Sequence, residues 1–167
     1  MITPAYARTM ARYNAWQNGS IYGAADGLSD EARRMDRGAF WGSIYGTLSH
    51  LLWGDTVWMS RFDGGAPPQA GIGDTAGWIA DWDDLRQRRR EMDGRIEAWT
   101  DGLAESDLTG DLTWWSGAMK REYSKPVALL VMQLFNHQTH HRGQVHAMLT
   151  AAGAKPDDTD IPFMPDT

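Results

Sequence analysis

At 167 residues the chain is long enough for one domain with a substantial core and too short for two, so residues 1–167 are expected to fold as a single domain. Its 16 Lys and Arg against 22 Asp and Glu leave a formal charge of -6, which argues against nucleic acid or an anionic membrane as the main partner. With no cysteine, disulfides, thiolate ligands and a thiol nucleophile of its own are excluded, and any thiol chemistry needs a thiol brought by a cosubstrate.

The start, Met1-Ile2-Thr3-Pro4, lacks the basic-then-apolar pattern of a secretory signal, and no stretch approaches the ~20 apolar residues of a membrane span. A soluble, cytoplasmic protein is expected. Thr3 followed by Pro4 reads as an N-cap and first helical position, and Tyr6, Met10, Tyr13, Gln17, Ile21 and Ala24 then recur at helical spacing up to Gly27. The connection beginning Leu28-Ser29-Asp30-Glu31 has room for one helical turn. From Ser43 to Phe62 a second long helix carries Ile44, Leu48, Leu51, Asp55, Trp58 and Phe62 on one stripe. His50 stands one residue off that stripe, and its helical neighbours Ser43, Gly46, Thr47 and Gly54 are small, as suits a pocket or close helix packing.

Residues 63–73 are a loop rich in Gly and Pro. Asp74 or Thr75 is then expected to cap a third long helix, with Trp78, Trp82, Leu85, Arg89, Met92, Ile96, Trp99 and Leu103 repeating at a heptad-like step. The basic run from Arg86 to Arg90 is flanked by acidic residues and reads as a solvated helix face. The nine Trp residues read as bulky core and interface filler rather than as ligand-stacking groups. After Glu105 the period shortens, and residues 111–115 and 118–123 around Ser116-Gly117 form a short β-hairpin. Pro126 restarts helical chemistry until Ala152, with Gly153 and Pro156 marking the end, and a coil follows from Asp157 to Thr167. The fold class is therefore all-α: a four-helix bundle with a long crossover and a short β-hairpin before the last helix.

That last helix holds four of the five histidines. Leu130, Leu134, His137, His141, Val145 and Met148 share its core stripe, and residues four apart lie one turn up the same face, about 40° apart. His137 and His141 can thus offer ring nitrogens to one point. Two protonated rings so close would repel, whereas neutral rings leave lone pairs that a divalent metal ion satisfies. The spacing matches the zinc-protease sequence HExxH, but Gln138 replaces its glutamate, which removes the general base of that chemistry. A third ligand has to come from elsewhere: His50 is the only histidine outside the last helix, and Asp55 is its rival, an outer acceptor, or simply ion-paired with a cation such as Arg142. By angle, His140 and His146 point elsewhere and are bystanders. Imidazole ligands suit Zn, Ni, Cu or Fe, with zinc or nickel the expected ion.

The segment Asn136-His137-x-x-His140-His141-Arg142-Gly143-Gln144, with His50 in Leu48-Ser49-His50-Leu51-Leu52-Trp53-Gly54-Asp55 and Tyr13-Asn14-Ala15-Trp16 near the start, resembles the DinB-like (YfiT-like) superfamily over nearly the whole chain. The resemblance implies a four-helix bundle, often dimeric, with a divalent metal held by three histidines, here His50, His137 and His141. It also implies transferase or hydrolase chemistry on a small electrophilic substrate, with a low-molecular-weight thiol such as bacillithiol, mycothiol or glutathione, or water, as the activated partner. The alternative is a bundle that binds metal or a small ligand without chemistry, as sensor, carrier or stress-related binding protein.

Overall fold

A computed structural model describes residues 1–166 of the chain. Thr3 and Pro4 open the first helix as their chemistry requires, the Thr3 hydroxyl accepting from the Tyr6 N–H, and α1 runs Pro4–Asp26. Its buried face is rotated from the expected stripe. Tyr6 is exposed and Met10 half-buried, while Asn14, Gln17 and Asn18 are buried. Amides occupy the core side because each finds a partner there: Asn18 donates to Asp93 Oδ1 at 2.8 Å, and Gln17 donates to the Asp158 carbonyl at 2.8 Å.

The single turn α2 (Asp30–Arg34) precedes α3 (Ile44–Phe62), capped by the Ser43 hydroxyl on the Gly46 N–H. The first half of α3 is buried on every side, which takes His50 out of solvent although it lies off the apolar stripe. The expected cap of the next helix is displaced. Residues Ile72–Gly77 form a 3-10 segment, and α4 (Trp82–Asp101) begins only at Asp81, whose carboxylate accepts from the Asp84 N–H. Asp83 and Asp84 in the first turn favour that start by facing the positive end of the helix dipole. Thr75 is thereby released from a capping role and turned inward, fully buried.

Trp82, Leu85, Met92 and Ile96 of the expected heptad stripe are buried, and so is Arg89. This corrects the reading of residues 86–90 as a solvated face: Arg86, Arg88 and Arg90 have surface partners, but Arg89 sits on the stripe and points into the bundle. Strands β1 (Asp111–Ser116) and β2 (Arg121–Pro126) pair antiparallel, from Asp111 opposite Pro126 to Ser116 opposite Arg121. The connection is longer than Ser116-Gly117, with Lys120 at φ 52° just before the second strand. Trp114 packs against Trp58 of α3 and Tyr123 of β2, so these rings are filler as expected.

Helix α5 (Val127–Ala151) completes a bundle in which α1 packs on α4 and α5, and α3 packs on the same two. The observed architecture is the four-helix bundle with a small two-stranded sheet. The tail is held along α1 by Asp157, Asp158 and Thr159, the last accepting from the Tyr13 hydroxyl at 2.7 Å. Thr167, the end of the expected coil, lies outside the described residues. No helix among the described residues is long and apolar enough to cross a membrane.

Candidate metal centre

His50 from α3 and His137 and His141 from α5 converge where these helices face each other. Their rings are 5.3 Å (His50 to His137), 4.9 Å (His50 to His141) and 4.5 Å (His137 to His141) apart between centroids. One ring nitrogen from each lies within 4.8 Å of the other two, and no further His, Cys, Asp or Glu joins this group among the described residues. The approach is close because residue 54 is glycine: a Cβ there would stand 3.0 Å from Cε1 of His137. Gly54 therefore gives room to the His137 ring, in addition to lying one turn from His50.

The outer nitrogens fix which atoms face inward. Nδ1 of His50 meets the Thr75 hydroxyl at 3.1 Å, and Nδ1 of His141 meets Oε1 of Gln144 at 2.8 Å. Thr75 is itself anchored, its carbonyl accepting from the Ser49 hydroxyl at 2.6 Å. With Nδ1 carrying the proton, each ring presents the lone pair of Nε2 to the cluster. Nε2 of His50 and Nε2 of His137 are 3.3 Å apart. Two nitrogens bound to one zinc ion at about 2.0–2.1 Å with a tetrahedral angle stand about 3.3 Å from each other, so this pair is already spaced for a shared ion.

Burial, reinforced by the neighbouring rings His137 and His141, pushes His50 down to about 3. Burial and His141 likewise push His137 down to about 4, with Asp55 opposing, and burial lowers His141 against its bond to Gln144. At neutral pH all three are therefore uncharged, the state in which imidazole binds metal. The donor set and spacing fit a divalent transition ion. Without metal, the sign of the pH effect follows: between about 3 and the ordinary 6.5 the unfolded chain holds more protons on His50 than the folded one, so stability falls as pH falls through that window. The melting temperature of the metal-free protein should drop from pH 7 to pH 4.5, and by less in a His50→Gln variant. Equal slopes for the two proteins would contradict the assignment of a buried, neutral His50.

Asp55 is fully buried, but Arg89 rather than Arg142 is its partner, at 2.6 Å, because α4 brings Arg89 across from the facing stripe. Arg142 bonds instead to Oδ1 of Asn14. Asp55 does not join the three histidines. His140 is exposed, with its ring 5.0 Å from that of His141, and His146 lines a cleft with Trp16, Pro156 and Phe163, away from the cluster. Gln138 is buried with its amide unpartnered.

Sequence reasoning missed Thr75, Gln144 and Trp41. Gln144 was visible three residues after His141, at helical contact spacing, whereas Thr75 arrives from a short 3-10 segment with no periodic signal. Trp41 stacks on His50 at 3.9 Å with 21° between planes, and Trp53 lies 6.0 Å from the same ring, so two of the nine Trp flank the cluster instead of filling the core. Its loop is held against α3 by a close approach, since a Cβ on Gly46 would meet the Trp41 carbonyl oxygen at 2.3 Å.

The DinB family model matches residues 1–167. Among solved structures, YfiT from Bacillus subtilis, described as a probable metal-dependent hydrolase with an unusual four-helix bundle topology, is similar with a TM-score of 0.68 and 14% identity, over 93% of this chain and 92% of that one. A DinB-like protein from Bacillus cereus ATCC 10987 is similar with a TM-score of 0.61 and 20% identity, over 86% of this chain and 90% of that one. No curated protein matches the chain at the same level of significance.

Proposed function

Because the chain belongs to the DinB family, we propose that it is a metal-dependent enzyme in which His50, His137 and His141 hold a divalent ion, zinc or nickel, and a small electrophile is attacked by water or a thiol cosubstrate. The observation that carries this reading is a three-nitrogen donor set with no fourth protein ligand beside it among the described residues. Structural zinc sites close with four protein ligands, whereas catalytic sites use three and leave one position open. The ion supplies Lewis acidity, lowering the pKa of a water or thiol and polarising the electrophile.

The chain's own residues prepare that position. Thr75 and Gln144 hold the outer nitrogens of His50 and His141, which fixes ring orientation and keeps the inner lone pairs free. Trp41 on the face of His50 and Phe40, 80% exposed and edge-on to Trp41, give the approach an aromatic side suited to a substrate with an apolar part. Gln138 stands where a glutamate base would be needed for peptide hydrolysis and cannot take a proton. The reading therefore favours activated esters, epoxides or similar electrophiles over amides.

Protein loaded with zinc or nickel and incubated with bacillithiol, mycothiol or glutathione and such electrophiles should consume thiol, and should hydrolyse esters when thiol is omitted. A chelator should abolish both. Metal that raises the melting temperature without turnover on any of these substrates would overturn the enzyme reading in favour of a binding protein.

A further inference from the structure

We propose that Asp55 is a positioning residue of the metal site, its carboxylate Oδ1 accepting the Nδ1–H of His137 through one bridging water. The inference rests on the metal-centre reading above and supplies what that site lacks. Nε2 of His137 faces Nε2 of His50, so its proton belongs on Nδ1. The corresponding nitrogens of His50 and His141 have acceptors, Thr75 and Gln144, but Nδ1 of His137 is buried without a partner. A buried donor left in that state is costly, so an acceptor is expected beside it.

Oδ1 of Asp55 is also buried without a partner. The His137 ring rests on Gly54, the residue preceding Asp55 in α3, with Nδ1 3.5 Å from where a Cβ on Gly54 would stand. Two other buried oxygens lack partners, Oε1 of Gln138 and the Tyr22 hydroxyl. Gln138 offers only a neutral amide oxygen, a weaker acceptor for an imidazole N–H than a carboxylate. Tyr22 belongs to α1 and stacks on Trp82 of α4 at 5.4 Å.

Asp55 is in turn held from behind. Its Oδ2 accepts from Arg89 at 2.6 Å, Arg89 also contacts Asp93 at 2.9 Å, and Asp93 accepts from Asn18 of α1 at 2.8 Å. Asp55 is thus anchored to α4 and, through Asp93, to α1. Carboxylates behind a ligating imidazole fix its tautomer and strengthen it as a donor, and their loss costs about 10–100-fold in metal affinity.

The test is zinc affinity of the full-length protein by competition with a chromophoric chelator. Asp55→Asn, which keeps the shape and a bond to Arg89, should bind zinc about 10–100-fold more weakly than wild type. Asp93→Asn, which touches Arg89 but not His137, should stay within about threefold. Long-range proton–nitrogen NMR of the zinc-loaded wild type should show a slowly exchanging Nδ1–H on His137, shifted in Asp55→Asn while the His50 and His141 signals stay. Unchanged affinity and an unchanged His137 signal would overturn the proposal and leave the metal centre standing, whereas a wild type that binds no zinc overturns both. If Asp55→Asn does not fold, a rapidly exchanging His137 Nδ1–H in the wild type overturns the proposal by itself.

Discussion

Replacing Arg89 with Ala is expected to destabilise the fold by about 3–5 kcal/mol, a large part of the stability of a domain this size. The guanidinium is 3% exposed and stands between Asp55 and Asp93, which are themselves buried. Burial alone would lower its pKa, and the two carboxylates outweigh that, so it stays charged at every relevant pH. Removing it leaves two carboxylates out of water without their counter-ion, and the loss comes from their desolvation more than from the missing bonds. Arg88, one residue earlier and paired with Asp84 at the surface, is the natural comparison. Its replacement by Ala should cost no more than about 1 kcal/mol. Urea unfolding of the two variants separates the positions, and equal small losses would show that the central ion pairs do not hold the bundle.

The second large effect falls on metal binding. His137→Ala and His141→Ala should each weaken zinc or nickel binding by more than about 100-fold, since even outer partners of a ligand are worth about 10–100-fold. His140→Ala and His146→Ala, whose rings lie outside the cluster, should bind as wild type does. Isothermal titration of the four variants decides the matter. If His140→Ala or His146→Ala loses the ion, or His137→Ala retains it, the ligand assignment fails.

How much of this was legible in the sequence depended on periodicity. The helix starting at Thr3-Pro4 could be read from its cap, and the helices beginning near Ser43 and Pro126 from their apolar spacing, and the four-helix bundle followed. His137 and His141 were visible together because they sit four apart on one helix. Their meeting with His50, 87 residues from His137, is a tertiary fact that helical spacing left open between His50 and Asp55. What could not be read was polar burial. Asn14, Asn18, Arg89 and Asp93 look like surface residues by composition, yet together they satisfy one another inside the bundle. Pairing across helices decides such positions, and no single-helix pattern encodes it. The same limit misassigned the partner of Asp55, where Arg142 and Arg89 were equally basic and only the packing of α4 against α3 distinguishes them.

The central claim is that this bundle is built around a metal ion. It is tested most directly by elemental analysis of the native protein, purified without chelators and without a histidine tag. The account predicts about one zinc or nickel ion per chain, removed by a chelator, with the melting temperature falling on removal and recovering when the ion is restored. A native protein that carries no transition metal, and whose melting temperature does not respond to zinc or nickel, would contradict it.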